Sequence, residues 1–153
     1  MFKIFGFQKG KLDIKLSEFN YSPGDTIEGT VEVELKKDVV STELSITMIG
    51  EEIERSRRRT GGRSRSSTSR RVIYEFKQPL EGEKEYADGD TASYPFQIKI
   101  PEDILQEKDG ALDNFGKVAR ALSGARRRVD WSLVVRLSVP GFDMKRRRQI
   151  NIT

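Results

Sequence analysis

The side chains with the most chemical potential in this chain are arginines, and they come in runs. Eight lie between residues 55 and 71 with no acid among them: Arg55, Arg57, Arg58, Arg59, Arg63, Arg65, Arg70 and Arg71. Arg126, Arg127 and Arg128 form a second run, and Lys145, Arg146, Arg147 and Arg148 a third. A guanidinium is a planar fork of donors that grips a carboxylate or phosphate at two points, so clustered arginines read as an anion-binding surface. The three runs hold 15 of the 28 basic residues, leaving 13 against 24 acids in the rest of the chain. The net charge of +4 therefore conceals an acidic body carrying three basic patches. Segregated charge of this kind implies an anionic partner or an internal clasp.

Three readings of the tract from Arg55 to Arg71 stand side by side. It is a solvated insertion, a dock for an acidic or phosphorylated protein segment, or a binder of nucleic acid or anionic lipid. Its lack of aromatic residues counts against stacking on single-stranded bases. Arg57-Arg58-Arg59-Thr60 and Arg63-Ser64-Arg65-Ser66-Ser67 set basic residues ahead of hydroxyls, where an added phosphate would cancel much of the local charge.

Little else in the sequence can do chemistry. The chain has no cysteine and no histidine, which removes disulfides, thiolate metal sites and the commonest general base. Glu51, Glu52 and Glu54, like Glu81, Glu83 and Glu85, lack ligand spacing and read as solvated strand ends or loops. Gly61-Gly62 is not followed by the residues of a phosphate-binding loop. Trp131 falls at an inward position of a regular strand and reads as a core anchor. The expectation is a protein that is not an enzyme, with no cofactor, no metal and no small-molecule substrate.

The elements that must carry the arginines have period two. Leu12, Ile14 and Leu16 alternate with polar residues; so do Ile27, Val31, Val33 and Leu35, with the turn Tyr21-Ser22-Pro23-Gly24-Asp25 between them. Val40 to Ile53 reads as a third strand with Leu44, Ile46 and Met48 on one face. Val72 to Leu80 reads as a fourth, with Val72, Tyr74 and Phe76 alternating against Ile73, Glu75 and Lys77. Together they predict a long hairpin with residues 55–71 as a flexible loop at its tip, because a tract without apolar residues cannot offset its ordering entropy by burial. Tyr94 to Ile100, Val129 to Val139 and Lys145 to Thr153 supply further strands. Between Pro101 and Val129 the period changes: Ala111, Leu112, Phe115, Val118, Ala119 and Leu122 recur at helical spacing, so one helix is inserted between late strands. The count is seven or eight strands and one helix. The start, MFKIFGFQKG, reads as a short strand or arm.

At 153 residues the chain fits one domain, 1–153. It has no apolar run of bilayer-spanning length and no secretory h-region, and the expected location is cytoplasmic.

The order of these signals resembles the amino-terminal lobe of the arrestin-like superfamily. The carriers are Tyr21, Pro23, Gly24, Asp25, Ile27, Gly29, Val31, Val33 and Leu35 in the first hairpin. Tyr94-Pro95-Phe96-Gln97-Ile98-Lys99-Ile100-Pro101 and the strand closed by Pro140-Gly141 complete the pattern. The likeness covers about Lys11 to Thr153 and is greatest to prokaryotic members, including bacterial sporulation-control proteins with a similar Phe-rich start. It implies an all-β, immunoglobulin-like antiparallel β-sandwich. Full arrestins add a second lobe and a tail that build a buried ionic switch, and no such switch carries over to this sequence. The family's receptor-entering finger corresponds in position to Arg55 to Arg71, without matching it in residues.

These readings combine into an adaptor or scaffold that docks a protein partner through loops and a strand edge, its arginine-rich patches taking an acidic or phosphorylated segment. Self-association through a strand edge is a further expectation. The alternative is a nucleic-acid or anionic-membrane binder using the same patches.

Overall fold

The computed structural model describes residues 10–105, 126–141 and 143–153. Among them are ten strands: β1 (Gly10–Leu16), β2 (Asn20–Tyr21), β3 (Thr26–Leu35), β4 (Val39–Ser41), β5 (Glu43–Thr60), β6 (Arg63–Glu81), β7 (Lys84–Tyr86), β8 (Thr91–Lys99), β9 (Arg126–Ser138) and β10 (Met144–Ile152). The Phe-rich start, residues 1–9, and the helix read over 111–123 lie outside the described residues.

The strands form a three-stranded sheet β1-β3-β8, a five-stranded sheet β2-β10-β9-β5-β6, and a small pair β4-β7. Pairing is antiparallel except where β2 runs parallel to the end of β10. The alternating apolar residues behave as period two requires. Leu12, Ile14, Ile27, Val31, Val33 and Leu35 from one large sheet join Leu44, Ile46, Met48, Leu133, Val135, Leu137 and Ile150 from the other in a single buried cluster. The chain is therefore an all-β fold with two main sheets closing on one core.

Gly50 shows how tightly that core is drawn. A Cβ there would lie 2.5 Å from the ring of Trp131, which faces it across the β5–β9 ladder. Trp131 is buried, and Tyr74 meets it edge-on at 5.9 Å between ring centroids. The β5–β6 register shifts between Gly50 and Glu51, so the ladder bulges where the indole is seated.

The long hairpin exists, but residues 55–71 are not a loop. The β5–β6 ladder runs unbroken from Arg55↔Thr68 to Thr60↔Arg63, and only Gly61 and Gly62 turn, both at positive φ. Two consecutive left-handed residues make the two-residue turn whose twist matches a hairpin. Judging the tract by apolar burial missed that a ladder satisfies backbone groups whatever the side chains are. The base is braced on its other side by β9, through Ile53↔Arg128, Glu54↔Arg127 and Arg55↔Arg126. Among the described residues, the remainder (56–67) is paired only between β5 and β6. At about 3.4 Å per residue this ribbon reaches roughly 17 Å beyond Arg55.

β6 is the outermost strand of its sheet. Val72, Ile73 and Phe76 are accordingly exposed, although their segment alternates as regularly as the central strands.

Candidate anion-binding site

Strand register decides which basic residues can act together. On β5 the core residues Leu44, Ile46 and Met48 have even numbers, so odd-numbered positions lie on the outer face of the five-stranded sheet. Arg55, Arg57 and Arg59 fall on that face, and Arg126 is Arg55's partner on β9. Ile53 sits between Arg70 of β6 and Arg128 of β9, which share its side. On β10, Lys145 pairs with Arg136 and Arg147 with Val134, again on the outer side. One sheet face thus collects residues from all three arginine-rich runs, plus Arg136 and Lys77.

The middle of this face is acidic. Glu51 and Asp130 are direct partners on β5 and β9, a like-charge pairing that costs stability unless cations flank it. Arg147 donates from Nη1 to Glu51 Oε1 at 3.0 Å, and Arg70 Nη1 lies 3.9 Å from the other carboxylate oxygen. Arg128 Nε stands 3.4 Å from Asp130 Oδ1. Towards the β9–β10 turn, Arg136 grips Asp143, whose other oxygen accepts from the Val139 amide. The Arg136 hydrogen bond is the main cause that holds the Asp143 carboxyl below its usual range. Lys77 reaches Glu43 at 2.6 Å. Lys145 adds to the pull on the Asp143 carboxyl, and Arg146 acts in the same sense on Asp13. An open groove of about 470 Å³ runs here, lined by Thr47, Ile49, Val134, Arg136, Lys145 and Arg147 among others.

The remaining arginines of the three runs lie elsewhere. Arg58, Arg63 and Arg65 occupy the opposite register positions of the ribbon, and Arg127 pairs with Glu54. Arg71 donates to Glu52 at 3.1 Å, and Glu52 is 4% exposed. The reading of Glu51 and Glu52 as solvated therefore fails: they are sandwiched among the arginines of neighbouring strands. Their signal was present, since Glu52 keeps the parity of Ile46 and Met48. Arg146 and Arg148 take inward positions of β10 beside β1. The Arg148 guanidinium lies 5.3 Å from the centre of the Phe19 ring, with its Nε buried and without a hydrogen-bond partner among the described residues. The second and third runs do not abut: Arg148 pairs with Leu133, five residues along β9 from Arg128. Sequence reading also missed Tyr86, whose hydroxyl meets that of Tyr94 at 2.8 Å. Burial, then the Tyr94 hydrogen bond, push the Tyr86 phenol well above its ordinary value.

Among the described residues no group of three acidic, histidine or cysteine side chains could hold a metal ion. No helix among them is long and apolar enough to cross a membrane.

No protein-family model and no curated protein matches the chain. Among solved structures it is similar to Spo0M, the sporulation control protein of Bacillus subtilis, with a TM-score of 0.57 and 18% identity. The match covers 94% of this chain and 49% of that one, so the chain spans about half the length of that protein. The likeness is one of fold, and it agrees with the sporulation-control-like, arrestin-like resemblance carried by the Pro-Gly hairpin and the Tyr94–Pro101 strand.

Proposed function

We propose that this chain is a cytoplasmic, non-enzymatic adaptor whose outer sheet face docks an acidic or phosphorylated segment of a protein partner. The observation that carries the reading is the gathering of basic residues from three separate runs onto one face, around the paired carboxylates Glu51 and Asp130. Those carboxylates occupy, from within, the kind of position a partner's anion would take. An incoming phosphate brings more charge and more acceptor oxygens than one carboxylate, so it competes for Arg147 and Arg70. Fold likeness to a sporulation control protein supports a regulatory rather than catalytic role.

The ribbon favours a second reading. A two-stranded β-ribbon has the width that enters the major groove of duplex DNA, and this one carries arginine at Arg57, Arg58, Arg59, Arg63 and Arg65. Anisotropy titrations of an acidic peptide, its phosphoserine form and a short duplex, each at two salt concentrations, separate the two. The adaptor reading expects the phosphopeptide to bind more tightly than its unmodified form, and Lys145→Ala with Arg147→Ala to abolish the preference. Duplex binding with a steep salt slope, insensitive to that double substitution, would replace it with the nucleic-acid reading.

A further inference from the structure

The geometry points to a second copy of this chain as the occupant of the outer edge of β6, paired antiparallel about Phe76. Among the described residues no strand pairs with that edge. The hairpin closes on Thr60↔Arg63, a two-residue turn whose closing pair exchanges both hydrogen bonds. Alternation from that pair directs the even-numbered backbone groups of β5 towards β6. Beyond the bulge opposite Gly50, it turns those of Tyr74, Phe76 and Gln78 towards β5. The amides and carbonyls of Glu75 and Lys77 therefore point away from the sheet. Pro79, which has no N–H to offer, falls on the same outward side, where an edge strand tolerates proline.

Centring a two-fold axis on Phe76 sets Glu75 opposite Lys77 of the second copy and Lys77 opposite its Glu75. Both pairs are hydrogen-bonded positions of an antiparallel ladder, and both join opposite charges. The two Phe76 residues become a direct, non-hydrogen-bonded pair, the closer kind, in which aromatic contacts are strongest. Phe76 and Ile73 are each 42% exposed and Val72 is 53% exposed, so apolar surface lies where the second copy would cover it.

Native edges are commonly protected by charge, and part of β6 is protected in this way. From Arg63 to Arg71 every charge has one sign, so a second copy laid along that stretch is repelled. From Ile73 to Pro79 the charges are one acid and one base placed symmetrically about Phe76, which attract a second copy instead. The like-charge stretch fixes the register by forbidding slips towards the ribbon. The product is one sheet continuous through both copies, with two basic outer faces side by side.

Charge reversal tests this without touching the core. Wild-type protein is expected to show a concentration-dependent two-chain mass in sedimentation or light scattering. Glu75→Lys and Lys77→Glu each place two like-charge pairs in register, and each should weaken self-association about tenfold or more. Mixed together, the two variants are complementary at both pairs and should recover a two-chain mass as a heterodimer. Far-ultraviolet circular dichroism checks that each variant is folded, and Glu75→Lys leaves the Lys77–Glu43 pair in place. A one-chain mass for the wild type throughout the micromolar range overturns the proposal. So does a dimer whose mass ignores both reversals. Neither outcome bears on the anion-binding face, whose own test uses Lys145 and Arg147.

Discussion

Arg147 on β10 reaches over β9 to donate to Glu51 on β5 at 3.0 Å, linking two strands that are not neighbours. The pair is partly exposed, so its own contribution to stability is about 0–1 kcal/mol. Its larger consequence is for binding, because Glu51 occupies two guanidinium groups that a phosphate would otherwise use. Glu51→Gln should leave the thermal midpoint nearly unchanged. It should tighten binding of a phosphoserine peptide by about threefold to tenfold, roughly 0.7–1.4 kcal/mol. Unchanged or weaker binding in a titration would mean that Glu51 does not compete with the ligand.

Glu52 differs because it is buried. The residue is 4% exposed, and its carboxylate takes a charged donor from Arg71. Withdrawing a donor from a buried carboxylate costs far more than breaking a surface pair. Arg71→Ala is expected to cost roughly 1–2 kcal/mol in urea unfolding, discounted because the arginine itself is mostly exposed. Arg71→Lys should recover part of the loss. An alanine variant as stable as wild type would show that Glu52's other interactions suffice.

Gly50 and Trp131 give a steric test. A methyl group at Gly50 would sit 2.5 Å from the indole, which is packed and cannot simply swing away. Gly50→Ala should cost about 2 kcal/mol and shift the Trp131 emission as the ring is displaced. Stability within ~0.5 kcal/mol of wild type would mean that the bulge absorbs the added group.

The sequence carried the sheet interiors better than the sheet edges. Leu44, Ile46, Met48, Leu133, Val135 and Leu137 alternate because each is covered on one face, and alternation is a local signal. Whether a strand is central or outermost depends on pairing far along the chain, so Val72 and Phe76 look like core residues yet lie exposed on β6. The arginine tract was misread for a related reason: its order comes from backbone pairing and from β9, neither of which its side chains announce. Of the candidate site, the basic residues were legible as types. Their sorting onto two faces needed the register, as did the discovery that Glu51 and Asp130 stand opposite one another.

Acid should loosen the β9–β10 turn. Asp143 is held below its ordinary value of 3.8, chiefly by the Arg136 hydrogen bond, so its folded pKa is lower than its unfolded one. A depressed carboxyl contributes fully above its unfolded pKa and loses that contribution as the pH falls through the folded value. Asp13 has the same sign: burial pushes it up, but Lys15, the Ile14 amide and Arg146 outweigh that. Stability is therefore expected to fall below about pH 4, and Asp143→Asn to flatten that fall. A variant whose curve superimposes on wild type down to about pH 2.5 would remove Asp143 from the account.

The ribbon can be removed as a unit. Pairing with β9 stops at Arg55↔Arg126, and among the described residues positions 56–67 are held only by each other and by the Gly61-Gly62 turn. A two-stranded ribbon is marginal on its own, so it adds little to the stability of the body. Joining Ser56 to Ser67, a pair of the same hydrogen-bonded kind as Thr60↔Arg63, through a two-residue Asn-Gly turn should keep the fold and change the unfolding free energy by less than about 1 kcal/mol. Trypsin should then report the same division in the intact chain. Arg57, Arg58, Arg59, Arg63 and Arg65 should be cut before Arg70 and Arg71, whose strand runs beside the β9-braced part of β5 and carries the Glu51 and Glu52 contacts. Binding decides what the ribbon is for. If the outer face alone recognises the partner, the shortened chain keeps its phosphopeptide affinity; if the ribbon is an arm that closes over the ligand, affinity falls as five arginines, Arg57, Arg58, Arg59, Arg63 and Arg65, are lost with it. Loss of folding on shortening would instead make the ribbon part of the structural core, and cutting at Arg70 or Arg71 first would reverse the order of stability assigned to the hairpin.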